Sequence, residues 1–442
     1  GIANVVVTDG QRCVTTDKNG IYHLPNLGNT RFVYITTPAG YLTDCEQTIP
    51  RFYQEVDMNK TNEYNFRLKK NPKNDNKHLF VLEADVQAGQ KEHWELYAPI
   101  VEDYKQLVEQ HPDRDIFGLN CGDIFWDAPG FPSYIDKVKK LDIPIYRTIG
   151  NHDMDYNGAT HETSYQTFEG YFGPTHYSFN KGNAHYIVIN NNFYVGREYF
   201  YIGYVDDTTF KWLKEDLSYV PKGTLVFFMT HIPTRVTEKK RPFSYDYLML
   251  AGETINAEAI HQLLDGYETH FLTGHLHSNS NIVFNEHQME HNTAAVCGIW
   301  WHADVCIDGT PQGYGVYEVD GNQVKWYYKS IGHPEDYQFR SYAAGTSKEF
   351  PKDIIANVWN WDKNWKVEWL EDGKVMGVMT QYTGIDPYAR QVCIDKKKTM
   401  QSWISAVNTE HLFRATPRNP KAKIEIRVTD RFGKVYQQNV SK

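Results

Sequence analysis

The chain has 442 residues, with 46 Lys and Arg against 55 Asp and Glu, for a net charge of −9. Single cores rarely grow to this length, so two or three domains are expected. The acidic balance and the lack of a long Lys/Arg run exclude a basic nucleic-acid footprint. No run of about 18 apolar residues is present to cross a bilayer as a helix.

Aromatic residues make up 14% of the chain, with 31 Tyr and 11 Trp. That content suits β-rich domains and surfaces that contact sugars or bases, although core packing accounts for most of it. Cys13, Cys45, Cys121, Cys297, Cys306 and Cys393 show no Cys-x-x-Cys spacing, which excludes a zinc knuckle or a dense disulfide framework. Most are expected to be free and buried, with a Cys13–Cys45 pair left open. The first residue is Gly1 rather than Met, so a processed or engineered chain with its leader removed is expected.

Residues 1–74 read as a small β-sandwich. Residues 2–7, 21–24 and 32–35 are strand-like, and turn signals such as Asp9-Gly10 and Lys18-Asn19-Gly20 lie between them. The polar stretch Lys69 to Lys77 reads as a linker. From there to about residue 334, apolar runs at 79–82, 115–119, 143–149, 185–190, 224–229 and 269–272 alternate with helix-compatible segments such as 92–109 and 257–264. This alternation predicts helices covering a sheet core. After Asn281 the pattern turns to short strands and a hairpin near 315–327. Residues 335–442 again read as β, with strands near 354–358, 365–369 and 423–428.

The chemistry gathers where the apolar runs end. The first leads into Asp85 and Gln87, and the second into Gly122-Asp123 with Asp127 close behind. A third ends in Gly150-Asn151-His152-Asp153, a fourth in His231, and a fifth in Gly274-His275-Leu276-His277. Carboxyl ends of strands are where ligands bind in open α/β sheets. Alone, each group reads more readily as a cap or a solvated turn. Five in order change that balance, and their mixture of imidazole, amide and carboxylate suits first-row divalent metals.

This ordered set resembles the calcineurin-like metallophosphoesterase superfamily, whose blocks run D-x-H, G-D, G-N-H-D/E, a lone His and G-H-x-H. The last four are met; the first departs, with Gln87 where His is usual. Residues 168–179 resemble the purple-acid-phosphatase-like members, and VVVTDGQRCVTTDKNGIYHLP resembles a transthyretin-like, carboxypeptidase-regulatory module. The implied fold class is α/β (α+β) and multi-domain. It has a central β-sandwich core flanked by helices at 75–334 and small all-β domains at 1–74 and 335–442.

The resemblance implies two divalent or trivalent ions, Mn, Fe or Zn. One is held by Asp85, Gln87, Asp123 and His277; the second shares Asp123 and adds Asn151, His231 and His275. It further implies a small phosphomonoester or phosphodiester substrate, with a nucleotide, sugar or lipid headgroup left open, attacked by a bridging hydroxide. His152 would act on the leaving oxygen, with Asp127 and Asp153 both candidates for its carboxylate partner. An amide oxygen at Gln87 is a harder donor than imidazole and should loosen a preference for zinc.

Around this centre, the loop 234–250 with Lys239, Lys240 and Arg241 is a candidate cover, and Asn190, Asn191, Asn192 and Tyr194 are candidate pocket residues. Trp300, Trp301 and His302 are candidates for stacking on a base or sugar. Two further readings are open from the sequence: hydrolysis of a nucleotide-diphosphate-type pyrophosphate, and an inactive glycan-binding or scaffold protein. The N-terminal module and the missing Met imply an exported, periplasmic or cell-envelope location.

Overall fold

The computed structural model describes residues 1–25, 30–57, 63–126, 130–235 and 247–440. Two sheets packed face to face form its centre. In the first, Lys77–Glu83 pairs in parallel with Asp115–Asn120, which pairs in parallel with Ile145–Arg147. The other edge of Lys77–Glu83 takes Gly313–Asp320 in antiparallel register, and that strand turns back as Gln323–Ser330. The second sheet runs Tyr177–Lys181, Ala184–Val188, Leu225–Met229, Glu268–Thr273, Gln288–Asn292 and Ser280–Val283, with its middle four strands parallel.

The two-residue side-chain period of a strand decides which way each apolar residue points. Phe80 and Leu82 face the second sheet in a cluster with Phe117, Leu119, Tyr186, Phe227 and Leu272. Phe80 meets Phe227 edge-on at 5.0 Å and stacks on Tyr317 at 4.7 Å. Leu79 and Val81 point outward, beneath the helices. Each such ring taken fully out of water contributes about 2–3 kcal/mol, so this interface dominates the stability of the core.

Helices cover both outer faces. Lys91–Gln110 buries Trp94, Tyr97, Ile100, Val101, Tyr104 and Leu107, a stripe at helical spacing laid on the first sheet. Asp207–Ser218 covers the second sheet with Trp212, Leu213 and Leu217. Its first turn is capped by Asp206, whose carboxylate accepts from the N–H groups of Thr208 and Thr209. One buried carboxylate locks helices to strands: Glu83 accepts from the hydroxyls of Tyr97, Tyr104 and Tyr134 and from Asn120 Nδ2. That network sits two residues before Asp85 and fixes where its strand ends.

The N-terminal residues make a four-stranded sheet ordered Cys13–Thr15, Val6–Thr8, Phe32–Ile35 and Tyr53–Glu55. Its Val5, Val7 and Phe32 to Ile35 share one apolar cluster with the central sandwich. Beyond the sandwich lie two four-stranded sheets, built around Ile354–Asn357 with Asn408–Ala415 and around Lys366–Glu371 with Ile424–Thr429. The α/β sandwich with β units at each end is the expected fold class.

Three local expectations are corrected. Residues 21–24 form no strand; Ile21 is held instead by a turn in which Asp17 accepts its N–H at 2.9 Å. The supposed linker carries the strand Lys69–Lys70, paired with Tyr41–Leu42, and Lys77 already belongs to the core sheet. Both lysines of that edge strand are exposed, so nothing in their polarity distinguishes them from a loop. The run 143–149 yields only the short strand Ile145–Arg147.

The six cysteines are all free, with Cys45 exposed and the other five buried, so Cys13 and Cys45 are not paired. Among the described residues, no helix is long and apolar enough to cross a membrane.

Candidate metal centre

All seven candidate ligands converge at the carboxyl ends of the parallel strands. Asp123 is the hub. Its Oδ2 accepts from Gln87 Nε2 at 3.0 Å and lies 3.3 Å from His231 Nε2, while its Oδ1 accepts from the His152 N–H at 2.8 Å. Asp85 Oδ2 accepts from the His275 N–H at 3.0 Å, and its Oδ1 lies 3.6 Å from His277 Nε2. His231 Nε2 is 3.0 Å from Asn151 Oδ1 and 3.1 Å from His275 Nδ1. Ligating atoms of Asp123, His231 and His275 all lie within 4.8 Å of one another.

The local backbone is bent to achieve this. Asp85, Gln87, Asp123, His275 and His277 all adopt positive φ, between 40° and 71°. In a residue with a Cβ that conformation costs on the order of 1–3 kcal/mol, and such strain collects at functional sites. Two glycines allow the loops to touch. A Cβ on Gly150 would lie 2.1 Å from Asp123 Oδ1, and one on Gly122 would lie 2.6 Å from Gly150 N. Asp153 fastens the same junction: its carboxylate accepts from the N–H groups of Gly150, Ile124 and Phe125.

Several groups here lack what burial demands. Asp85 Oδ1 and Gln87 Oε1 are buried with no hydrogen-bond partner, and each such orphan costs about 1–3 kcal/mol or more. The tautomers make the need sharper. His231 Nδ1 is 2.7 Å from the Cys121 carbonyl and His275 Nε2 is 3.0 Å from the Ala251 carbonyl. A carbonyl only accepts, so those nitrogens carry the protons. In neutral rings the lone pairs of His231 Nε2 and His275 Nδ1 would face each other, and only a proton or a cation between them relieves that contact. Although burial opposes protonation, the Asp123 charge raises His231 to about 9, so without a cation His231 holds that proton.

The electrostatics point the same way. Burial, with the Asp123 charge adding to it, pushes the Asp85 carboxyl up to about 8. Burial also opposes ionisation of Asp123, yet His231 and His152 hold its carboxyl well below the usual range. Burial, then His231, takes His275 down to about 3. Burial takes His277 to about 3 as well. Without a cation the cluster settles its charge by holding protons on the His231 imidazole and the Asp85 carboxyl; divalent ions remove that conflict. The donors present therefore fit a metal centre.

His152 sits beside the cluster with its own support. Its Nδ1 donates to the Trp126 carbonyl at 3.1 Å, and its ring stacks on the Trp126 indole at 4.4 Å. The proton on Nδ1 leaves Nε2 unprotonated in the neutral ring. The orienting group is thus a backbone carbonyl, while the Asp153 carboxylate is engaged by backbone N–H groups; Asp127 lies outside the described residues. Across the site, His277 stacks on Trp300 at 4.1 Å, and Trp301 donates its indole N–H to the Val86 carbonyl at 2.9 Å.

The expected pocket residues behave differently. Asn191 donates to the Ile232 carbonyl and to Thr254, and accepts the Ile232 N–H. Asn192 donates to the Ile149 carbonyl. With Asn190 and Tyr194 these are buried residues that brace the loops behind His231 and Gly150. Of the candidate covering loop, residues 236–246, with Lys239, Lys240 and Arg241, lie outside the described residues. Reading the sequence missed Trp403 altogether, and gave the Trp126 side chain no role.

Comparison with known proteins agrees with this architecture. The family model "Calcineurin-like phosphoesterase" matches residues 79–279. Its companions, "N terminal of Calcineurin-like phosphoesterase" and "C terminal of Calcineurin-like phosphoesterase", match 1–71 and 290–436. Fold, site and matches define a metal-dependent hydrolase acting on phosphoester bonds. The chain belongs to the calcineurin-like phosphoesterase family, whose members use a dinuclear metal centre.

No curated protein matches the chain. Among solved structures, a dimetal phosphatase from Danio rerio is 13% identical, with a TM-score of 0.40, covering 57% of this chain and 96% of its own. GAP50, the anchor in the inner membrane complex of Plasmodium, is 16% identical at 0.38, covering 58% and 85%. A 5'-nucleotidase from Candida albicans is 15% identical at 0.34, covering 59% of this chain and 52% of its own. The C-terminal family match begins inside the core strand Gln288–Asn292 and takes in the hairpin 313–330, so it includes part of the sandwich.

Proposed function

We propose that this protein hydrolyses a small phosphomonoester or phosphodiester at two ions of Mn, Fe or Zn. Asp85, Gln87, Asp123 and His277 hold one, and Asp123, Asn151, His231 and His275 the other. The observation that carries the reading is the approach of His231 Nε2 to His275 Nδ1 at 3.1 Å, which needs a proton or a cation between them, beside two orphaned oxygens, Asp85 Oδ1 and Gln87 Oε1. When bound, two such ions polarise a phosphoryl group and lower the pKa of nearby water.

This chain's own residues supply the rest. Asp123 lies between the two sets of donors and offsets the charge of both. Gln87 keeps its amide N–H on Asp123, which turns its carbonyl oxygen, a hard neutral donor, toward the centre. His152, with its Nδ1–H committed to a carbonyl, would have to be the imidazolium to give an Nε2 proton to the leaving oxygen. The stacked Trp126 holds that imidazole in plane.

The test is release of p-nitrophenol from p-nitrophenyl phosphate and from its bis ester, with Mn²⁺, Fe²⁺ or Zn²⁺ supplied. Elemental analysis of the purified protein accompanies it. Turnover with at least one metal and two ions per chain are expected. No turnover with any metal overturns the enzymatic reading, and fewer than two ions overturns the dinuclear one. The ratio of mono- to diester rates assigns the preferred substrate.

Division into units 1–74, 75–334 and 335–442 belongs to the same proposal, supported by sheets whose strands fall within those limits. So does an exported or cell-envelope location, supported by the N-terminal β module. Recovery only from a cytosolic fraction would refute that location.

A further inference from the structure

We propose that Trp403, carried in by the C-terminal β unit, touches the substrate. Its half-exposed indole, with the Trp126 and Trp300 rings against it, forms an aromatic corner for a planar ring in the leaving group. The inference rests on the proposed phosphoester hydrolysis and names the chemistry of the group that leaves.

The rings form a continuous wall between two residues of the site. His152 lies against Trp126 at 4.4 Å, and Trp126 lies parallel to Trp403 at 6.1 Å with 10° between the planes. Trp403 meets Trp300 edge-on at 4.8 Å, and Trp300 stacks on His277 at 4.1 Å. Trp403 therefore bridges the His152 arm and the His277 arm, although it lies more than a hundred residues beyond both in the chain.

Its setting is that of a fixed, presented side chain. Trp403 is 54% exposed, whereas its neighbours Met400 and Ile404 are 7% and 1% exposed. Those two pack with Val392, Ile299 and Val305, which anchors the segment directly behind Trp300. Trp300 and Trp301 are held at φ of 43° and 65°, strain that the surrounding structure must support. Trp301 is tied to the Val86 carbonyl, between Asp85 and Gln87, so the wall is braced against the ligand loop itself.

Direction gives the ligand class. His152 serves the leaving oxygen, and Trp126 covers the His152 ring. A group attached to that oxygen and extending along the wall passes from Trp126 toward Trp403. The surface it meets is built of indole rings, Trp126 and Trp403 parallel and Trp300 at 88° to Trp403, which favours stacked or edge-on contact with an aromatic ring over recognition by hydrogen bonds. The substrate class is thus a phosphate ester with a planar aromatic ring in its leaving group.

The experiment compares kcat/KM for phenyl phosphate and for glycerol 2-phosphate in the intact protein and in Trp403→Ala and Trp403→Phe variants. Because intrinsic leaving-group reactivity cancels between proteins, the change in the ratio is the readout. The ratio should fall by about three- to tenfold in Trp403→Ala and stay near its original value in Trp403→Phe. Calorimetric titration with phenylphosphonate and methylphosphonate reads the same preference without turnover, and the phenyl preference should weaken in parallel.

An unchanged ratio and an unchanged phosphonate preference in Trp403→Ala would overturn the inference, as would absence of any phenyl preference in the intact protein. If neither these esters nor bis-p-nitrophenyl phosphate turns over with any metal, yet the phenyl preference in binding depends on Trp403, the hydrolytic reading fails and the aromatic subsite stands. Should Trp403→Ala fold poorly by circular dichroism, Trp403→Leu, apolar without a flat face, takes its place and should lower the ratio in the same way.

Discussion

Two of the buried clusters of carboxylate, amide and imidazole among the described residues could hardly be more different in how their atoms are satisfied. One is the candidate metal centre around Asp123. The other lies where the sandwich meets the C-terminal sheets, around Asp308, His411, Asn357 and Asp386. There Asp308 Oδ1 accepts from the Thr310 N–H, and Oδ2 from the Thr310 hydroxyl, the Asn279 N–H and His411 Nε2. Asn357 donates to the Asp308 carbonyl and to Asp386, which also accepts from the Tyr342 hydroxyl and the Ala389 N–H. None of these four side chains sits at positive φ, and none leaves an orphaned atom.

The same residue types thus serve two ends. In the second cluster every acceptor has a donor, and the result is a joint. In the first, strained backbone aims acceptors at one another, with Asp85 Oδ1 and Gln87 Oε1 left over. Unsatisfied oxygens gathered with left-handed backbone and converging ligand atoms, rather than the presence of Asp and His, set this site apart from the joint.

The contrast breaks most visibly at Asp85. Asp85→Asn should lower kcat/KM by roughly 10³-fold or more by weakening metal retention. In chelator-treated protein it should cost little stability or even raise it, because a carboxyl pushed up to about 8 is relieved of a charge it cannot hold. Assays with metal analysis, and urea unfolding after chelation, check the two halves.

Next in size, His152→Ala should lower kcat by about 10²–10⁴-fold while leaving two ions per chain. Loss of metal together with activity would place His152 among the ligands instead. The opposite pattern is expected of the joint. Asp308→Asn should destabilise by about 3 kcal/mol and leave activity per folded molecule unchanged, as read from urea midpoints and assays well below them.

The smallest effect is on pH. His270 and His291 face each other at 2.8 Å in the second sheet, close to Trp326 and Arg431. Burial takes His270 down to about 3, and burial with His270 takes His291 well below its ordinary value. Their folded values lie below the unfolded value of about 6.5. The unfolded chain therefore binds more protons across that window, and stability is present above it and lost as pH falls. Each ring should cost up to about 1.4 kcal/mol per pH unit below 6.5. A His270→Gln variant should flatten the slope of the urea midpoint between pH 6.5 and 5.

Much of the candidate site was legible because each contributing strand end is short and local. Gly122-Asp123 and Gly150-Asn151-His152-Asp153 carry both the bend and the chemistry within four residues. What escaped depends on partners distant in sequence or on backbone atoms. The group orienting His152 is the Trp126 carbonyl, which no side-chain pattern announces. Trp403 reaches the site only through the packing of Met400 and Ile404. Asn191 and Asn192 were read as pocket residues because an amide at a strand end suits binding and bracing equally. Lys69–Lys70 escaped because an exposed edge strand leaves no apolar periodicity to detect.

The strand Lys77–Glu83, which leads into Asp85 and Gln87, has one neighbour that follows within forty residues and another, Gly313–Asp320, that arrives more than two hundred residues later. During synthesis, residues made first fold as far as their contacts allow. The nascent first sheet must therefore wait with an open edge on the very strand that carries two candidate ligands, until the ribosome has passed residue 320. Truncation upstream of the 313–330 hairpin would leave that edge bare, a template for pairing with another chain. Fragments ending near 290 should aggregate, whereas those extended through 330 should not. On this topology the metal centre is among the last parts of the protein to be completed, although its first ligand lies in the first fifth of the chain.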